Sequence, residues 1–161
     1  MRAIALCVLC RWLREASAIK TITMVINFQE IMDAFDFVSF GPMYEHQAFL
    51  CKETGKIYWH SELGDDIEEL PEDIDDEKYI EIPHKNELGL GKNLVLDFAY
   101  QHLPDEAEEI GSIFRRKGAY SKFKALLERK GIIDKWYAFD SEANEKSLRE
   151  WCEDVGIEIH G

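Results

Sequence analysis

The chain has 161 residues, 46% of them apolar and 32% charged, enough to fold around the core of a single domain. Its formal net charge of −13 excludes wholesale coating of nucleic acid or of an anionic membrane, so any contact with a polyanion has to be local. The longest apolar run near the start, residues 3–10, is too short to span a bilayer. Arg2 before that run and Ala16-Ser17-Ala18 after it mimic an export signal, but Arg11, Arg14 and Glu15 interrupt the stretch that should stay neutral before cleavage. Met24 immediately precedes a helix start. Residues 1–23 therefore read as a non-native N-terminal extension or a disordered segment, and 24–161 as a single α+β domain. Cys7 and Cys10 have C-x-x-C spacing without a second pair, which leaves half of a zinc ligand set. Cys51 and Cys152 read as buried thiols of a reducing compartment, and the protein as cytoplasmic.

Asn27 with Glu30 forms a capping box, and Phe28, Ile31, Met32 and Phe35 follow at helical spacing, predicting a helix over 28–36. Gly41-Pro42 breaks the chain. Residues 45–52 and 56–61 are aromatic-rich runs around Glu53-Thr54-Gly55, the pattern of a β-hairpin with a three-residue loop. In that register Lys52 faces Lys56, Ala48 faces His60, and His46 lies diagonally on the same face. Residues 78–82 supply a third strand ending at Pro83. The tract 62–77 between strands holds ten Asp and Glu and no Lys or Arg. Its spacing fails the EF-hand pattern and fits a solvated loop.

The second half reads as helical. Leu94, Val95, Phe98 and Ala99 form one stripe before Pro104, and Asp105 with Glu108 restarts a helix carrying Ile110, Ile113 and Phe114. Gly118 separates it from a helix that runs to Gly131. Residues 136–139 alternate like a short strand, and Asp140 or Ser141 caps a last helix with Leu148, Trp151, Cys152 and Val155 on one face. The expected fold is a three-stranded antiparallel sheet over about 45–82 with an N-terminal helix, packed against three to four C-terminal helices.

Charge is segregated along this chain. Residues 115–135 carry eight Lys or Arg against Glu128 and Asp134, a local charge of +6, so the remainder carries −19. On a helical wheel Tyr120, Phe123, Leu126 and Leu127 face inward, Lys122 and Arg129 face solvent, and Lys124 with Glu128 forms an i,i+4 pair. Arg115, Arg116, Lys117, Lys122 and Arg129 make a ridge, with Trp136 and Tyr137 nearby as stacking rings. Phosphate-pairing cations beside aromatic faces are what a nucleic-acid surface requires. An acidic protein or RNA is the expected partner of a non-catalytic interaction or regulatory domain. The competing reading buries the rings and pairs the cations with the acidic loop. An enzyme would use His46 and His60 on the sheet, but no H-E-x-x-H, G-x-S-x-G or P-loop occurs. No metal, cofactor or membrane contact is expected. Gly89-Leu90-Gly91-Lys92-Asn93 reads as a flexible helix entry rather than a phosphate loop.

Four motifs occur in one order: Glu53-x-Gly55-x-Ile57-Tyr58-Trp59, then Tyr79-Ile80-x-Ile82-Pro83, then Gly118-Ala119-Tyr120-Ser121-Lys122-Phe123-Lys124, then Trp136-Tyr137-Ala138-Phe139. Over about residues 25–158 this order resembles the uncharacterised bacterial protein family numbered 0158, a family of unknown function. The family pattern at the third motif carries Phe-Arg-Arg where this chain has Tyr120, Ser121 and Lys122. The resemblance implies a domain boundary and brings no activity with it.

Overall fold

The computed structural model describes residues 25–64 and 68–161. Residues 1–24, with Cys7 and Cys10, and residues 65–67 of the acidic tract lie outside the described residues. The architecture is α+β, with five α-helices and two small sheets among the described residues. Strand β1 (Val25–Asn27) leads directly into helix α1 (Phe28–Val38). The Asn27 side chain accepts a hydrogen bond from the Gln29 amide at 2.9 Å, a cap that stabilises a helix by about 1 kcal/mol. Phe28, Ile31, Ala34, Phe35 and Val38 are buried along one stripe, which packs on the sheet.

Strands β2 (His46–Cys51), β3 (Ile57–Ser61) and β4 (Tyr79–Glu81) form an antiparallel sheet with β2 in the middle. The sheet forms as expected, but its register does not. The Cys51 amide bonds to the Lys56 carbonyl, so the hairpin loop is the four residues 52–55. His46 then faces Ser61, and Gln47 faces His60. Since side chains alternate across a strand, one extra loop residue sends the whole β3 set to the opposite face. Ala48, Leu50 and Ile82 are buried on the inner face, where Phe37 of α1 meets Trp59 at 5.1 Å between ring centroids.

The C-terminal half contains α2 (Lys92–His102), a 3₁₀ turn (Pro104–Glu106), α3 (Ala107–Ile113), α4 (Ala119–Lys130) and α5 (Ile133–Asp154). Gly118 and Gly131 bracket α4 at φ 73° and 68°, a left-handed backbone that non-glycine residues adopt at a cost. At Gly131 the Ile132 amide reaches back to the Leu127 carbonyl, closing α4 with a Schellman-type turn.

Residues 136–139 are helical, not extended. Alternation over four residues fits either period, whereas burial of Trp136, Leu148 and Cys152 with partial burial of Phe139 and Ala143 follows the helical one. The last helix therefore starts at Ile133, well before Asp140. After α5, strand β5 (Glu158–His160) pairs in parallel with β1. The Arg149 guanidinium stacks 3.9 Å from the Phe28 ring centroid and donates to the Gly161 carbonyl at 3.1 Å. The two ends of the described chain are thus held together.

Buried residues from both halves form one core. In its helical part Trp136, 1% exposed, lies 5.1 Å from Phe123, 5.2 Å from Phe98 and 6.3 Å from Tyr120 between ring centroids. Trp136→Ala is expected to lower stability by about 3–5 kcal/mol in urea denaturation. Tyr137→Ala, one residue on and 48% exposed, is expected to cost under about 1 kcal/mol.

Candidate functional site

Arg115, Arg116, Lys117, Lys122 and Arg129 are all exposed, and no ion pair among the described residues involves any of them. The acidic loop finds other partners: Glu68 pairs with Lys56 at 2.8 Å and Asp73 with Lys78. Two cations of the segment are occupied. Lys130 pairs with Glu106 of the 3₁₀ turn. Lys124, expected to pair with Glu128, instead sits 5.7 Å from the Tyr120 ring and 5.3 Å from the Tyr137 ring. Two faces of aromatic electron density outcompete one solvated carboxylate there.

The ring assignment divides. Trp136 is a core residue and presents no stacking face, because its large ring packs inward against Phe123 of the neighbouring helix. Tyr137 stays half exposed, with one face on Lys124. A second exposed ring, missed in the sequence, is Tyr100 of α2 at 64% exposure. It lines a groove of about 450 Å³ between α2 and α3 together with Lys92, Glu108, Ser112 and Arg115. Residues 92, 96 and 100 recur at helical spacing, which is the signal that could have put Lys92 and Tyr100 on one face of α2. The groove joins the ridge at Arg115. Among the described residues, Glu108 is the one acidic side chain in its lining, against two cations.

The histidine site does not form. His46 is on the inner face, with its ring 4.9 Å from Phe37 and its Nδ1 buried without a hydrogen-bond partner among the described residues. His60 is on the outer face, with Nε2 3.5 Å from a Glu62 carboxylate oxygen. The four-residue loop that shifts the register is the reason. Among the described residues no group of three or more His, Cys, Asp or Glu is placed to hold a metal ion.

A further cleft, of about 330 Å³, was not legible in the sequence. It opens between the C-terminal end of α1, the segment after β4, and helices α4 and α5, and is lined by Asp36, Phe40, Lys85, Tyr120, Asp140 and Asn144 among others. Burial raises the Asp140 carboxyl above its usual range, opposed by Lys85 and Lys124 and aided by Asp36. Asp36 is likewise raised by burial and by Asp33, with Lys85 opposing. Burial, with Asp140 beside it, pushes the Tyr120 phenol up to about 12, so that hydroxyl stays protonated at neutral pH.

No protein-family model, no curated protein and no solved structure matches this chain. Among the described residues no helix is long and apolar enough to cross a membrane.

The Asp140 shift has a stability consequence. A carboxyl raised by folding adds no penalty below the ordinary aspartate value of 3.8, where it is protonated in both states. It destabilises the fold progressively as pH rises through its folded value. Asp140→Asn is therefore expected to raise the urea midpoint at pH 7 and to lose that advantage below 3.8. Equal midpoints at pH 7 would contradict the raised carboxyl.

Proposed function

We propose that this protein is a small, non-catalytic cytoplasmic interaction domain. It binds single-stranded RNA along the α2/α3 groove and the ridge of Arg115, Arg116, Lys117, Lys122 and Arg129. The observation that carries this reading is the sharing of one groove by the exposed Tyr100 ring and two cations, Lys92 and Arg115, without ion-pair partners among the described residues. Cations pair phosphates without regard to sequence, and an exposed ring in the same groove offers a base a stacking face. An acidic protein would use the cations but has no need of the ring. Single strands suit the groove because their bases are free to stack, whereas bases inside a duplex are already stacked.

Two further features support parts of this reading. Cys51 and Cys152 are free buried thiols, which suits a reducing compartment. Membership of the family numbered 0158 is part of the proposal and rests on the order of the four motifs that run from Glu53 to Phe139.

The test is fluorescence polarisation of a labelled single-stranded RNA at several salt concentrations. Binding is expected to weaken with salt, with a log–log slope of about −0.7 per phosphate neutralised. Tyr100→Ala should cost about 1–3 kcal/mol of affinity. The combined Arg115/Arg116/Lys122/Arg129→Glu variant should abolish binding while still melting cooperatively as a folded protein. No binding by the wild-type chain, or tighter binding of an acidic peptide than of RNA, would overturn the RNA reading.

A further inference from the structure

The cleft between α1, α4 and α5 is separate from the basic groove and is built differently. Its polar groups come from four segments far apart in sequence: Asp36 from α1, Lys85 from the loop after β4, Tyr120 from α4, and Asp140 with Asn144 from α5. Asp140 and Asn144 are four residues apart on one helix, so they project on the same side. The Lys85 backbone amide donates to the Ser39 hydroxyl at 3.0 Å, which anchors the loop and leaves the ammonium free. Among the described residues, the Asp36 and Asp140 carboxylates, the Lys85 ammonium, the Tyr120 hydroxyl and the Asn144 amide make no side-chain hydrogen bond to protein. They line one concavity and none is consumed by another.

We propose that this cleft binds a small zwitterion, a free α-amino acid. The ligand's ammonium is held by Asp36 and Asp140, and its carboxylate by the Lys85 ammonium. The charges of the lining select for this class. Two carboxylates attract a cation, but Lys85 beside them disfavours a bare metal ion or a polyamine, which carry no anion to meet it. A simple anion meets the reverse obstacle. A molecule with both charges a few bonds apart satisfies both sides, and each contact is a charge-assisted hydrogen bond. The Tyr120 phenol, protonated at neutral pH, is a donor suited to the ligand's carboxylate. Asn144 can donate and accept. Phe40, 86% exposed at the end of α1, supplies an apolar surface against which a ligand side chain can rest. A volume of about 330 Å³ lies at the lower end of small-molecule sites, about 300–1,000 Å³, and is large enough for one amino acid.

The test is isothermal titration calorimetry of the full chain with each proteinogenic L-amino acid. The methyl ester and the 2-oxo acid of the best binder serve as probes lacking one charge each. The expected result is saturable binding of at least one amino acid, weakened about tenfold or more by Asp140→Asn and by Lys85→Met. The methyl ester and the 2-oxo acid should each bind about tenfold more weakly or worse. Melting curves of both variants establish that they fold, and Asp140→Asn is expected to be more stable than wild type at pH 7. Tyr137→Ala, outside the cleft lining, should bind like wild type. The proposal fails if no amino acid binds at millimolar concentration. It also fails if the folded variants bind unchanged, or if the ester binds as tightly as the parent amino acid, which would make the cleft a cation site only.

Discussion

The Trp136 indole is what the helical half of the molecule is assembled around. It takes Phe98 from α2, Phe123 from α4 and Phe139 from its own helix into one aromatic cluster, with Tyr120 and Phe114 at the edge. Rings in edge-to-face contact add about 0.5–1.5 kcal/mol per pair beyond the area they bury. The ion pairs on this half are exposed and contribute about 0–1 kcal/mol each. Packing therefore holds α2, α4 and α5 together, and the charges outside are available for other work. Stability of this half therefore rests on the buried rings, with the exposed cations contributing little to it.

The same cluster decides which surface α4 presents. With Phe123 and Leu127 fully buried, Lys122 and Arg129 are turned outward, seven residues apart and on one side of the helix. The single residue Ile132 between Gly131 and the start of α5 leaves little freedom to reorient the two helices. Arg115 is placed by the turn between α3 and α4, at the edge of the groove that also holds Tyr100. The core and the basic surface are two faces of one arrangement.

Much of this was legible in the sequence, and the misses have physical causes. The Asn27 cap, the α1 stripe, three strands and the glycines bracketing α4 are local signals that appear where expected, although among the described residues Asn27 bonds the Gln29 amide and Glu30 makes no reciprocal capping-box bond. The His46/His60 pair failed because register depends on one residue of loop length, which no local pattern distinguishes. Residues 136–139 alternate like a strand yet are helical, because four residues cannot separate a period of two from one of 3.6. The β1/β5 pairing joins three-residue strands from opposite ends of the described chain, too short to show any periodicity. The Asp36/Lys85/Asp140 cleft collects residues about fifty positions apart, and only tertiary packing brings them together.

The most direct test of the account is a ¹⁵N-resolved NMR titration of the full chain with single-stranded RNA. Chemical-shift changes and line broadening are expected at residues 92, 100, 112 and 115–117 and along the outer side of α4 at 122 and 129, with the β2–β3 hairpin unmoved. Perturbations centred on residues 46–61, or none at saturating RNA, would contradict it.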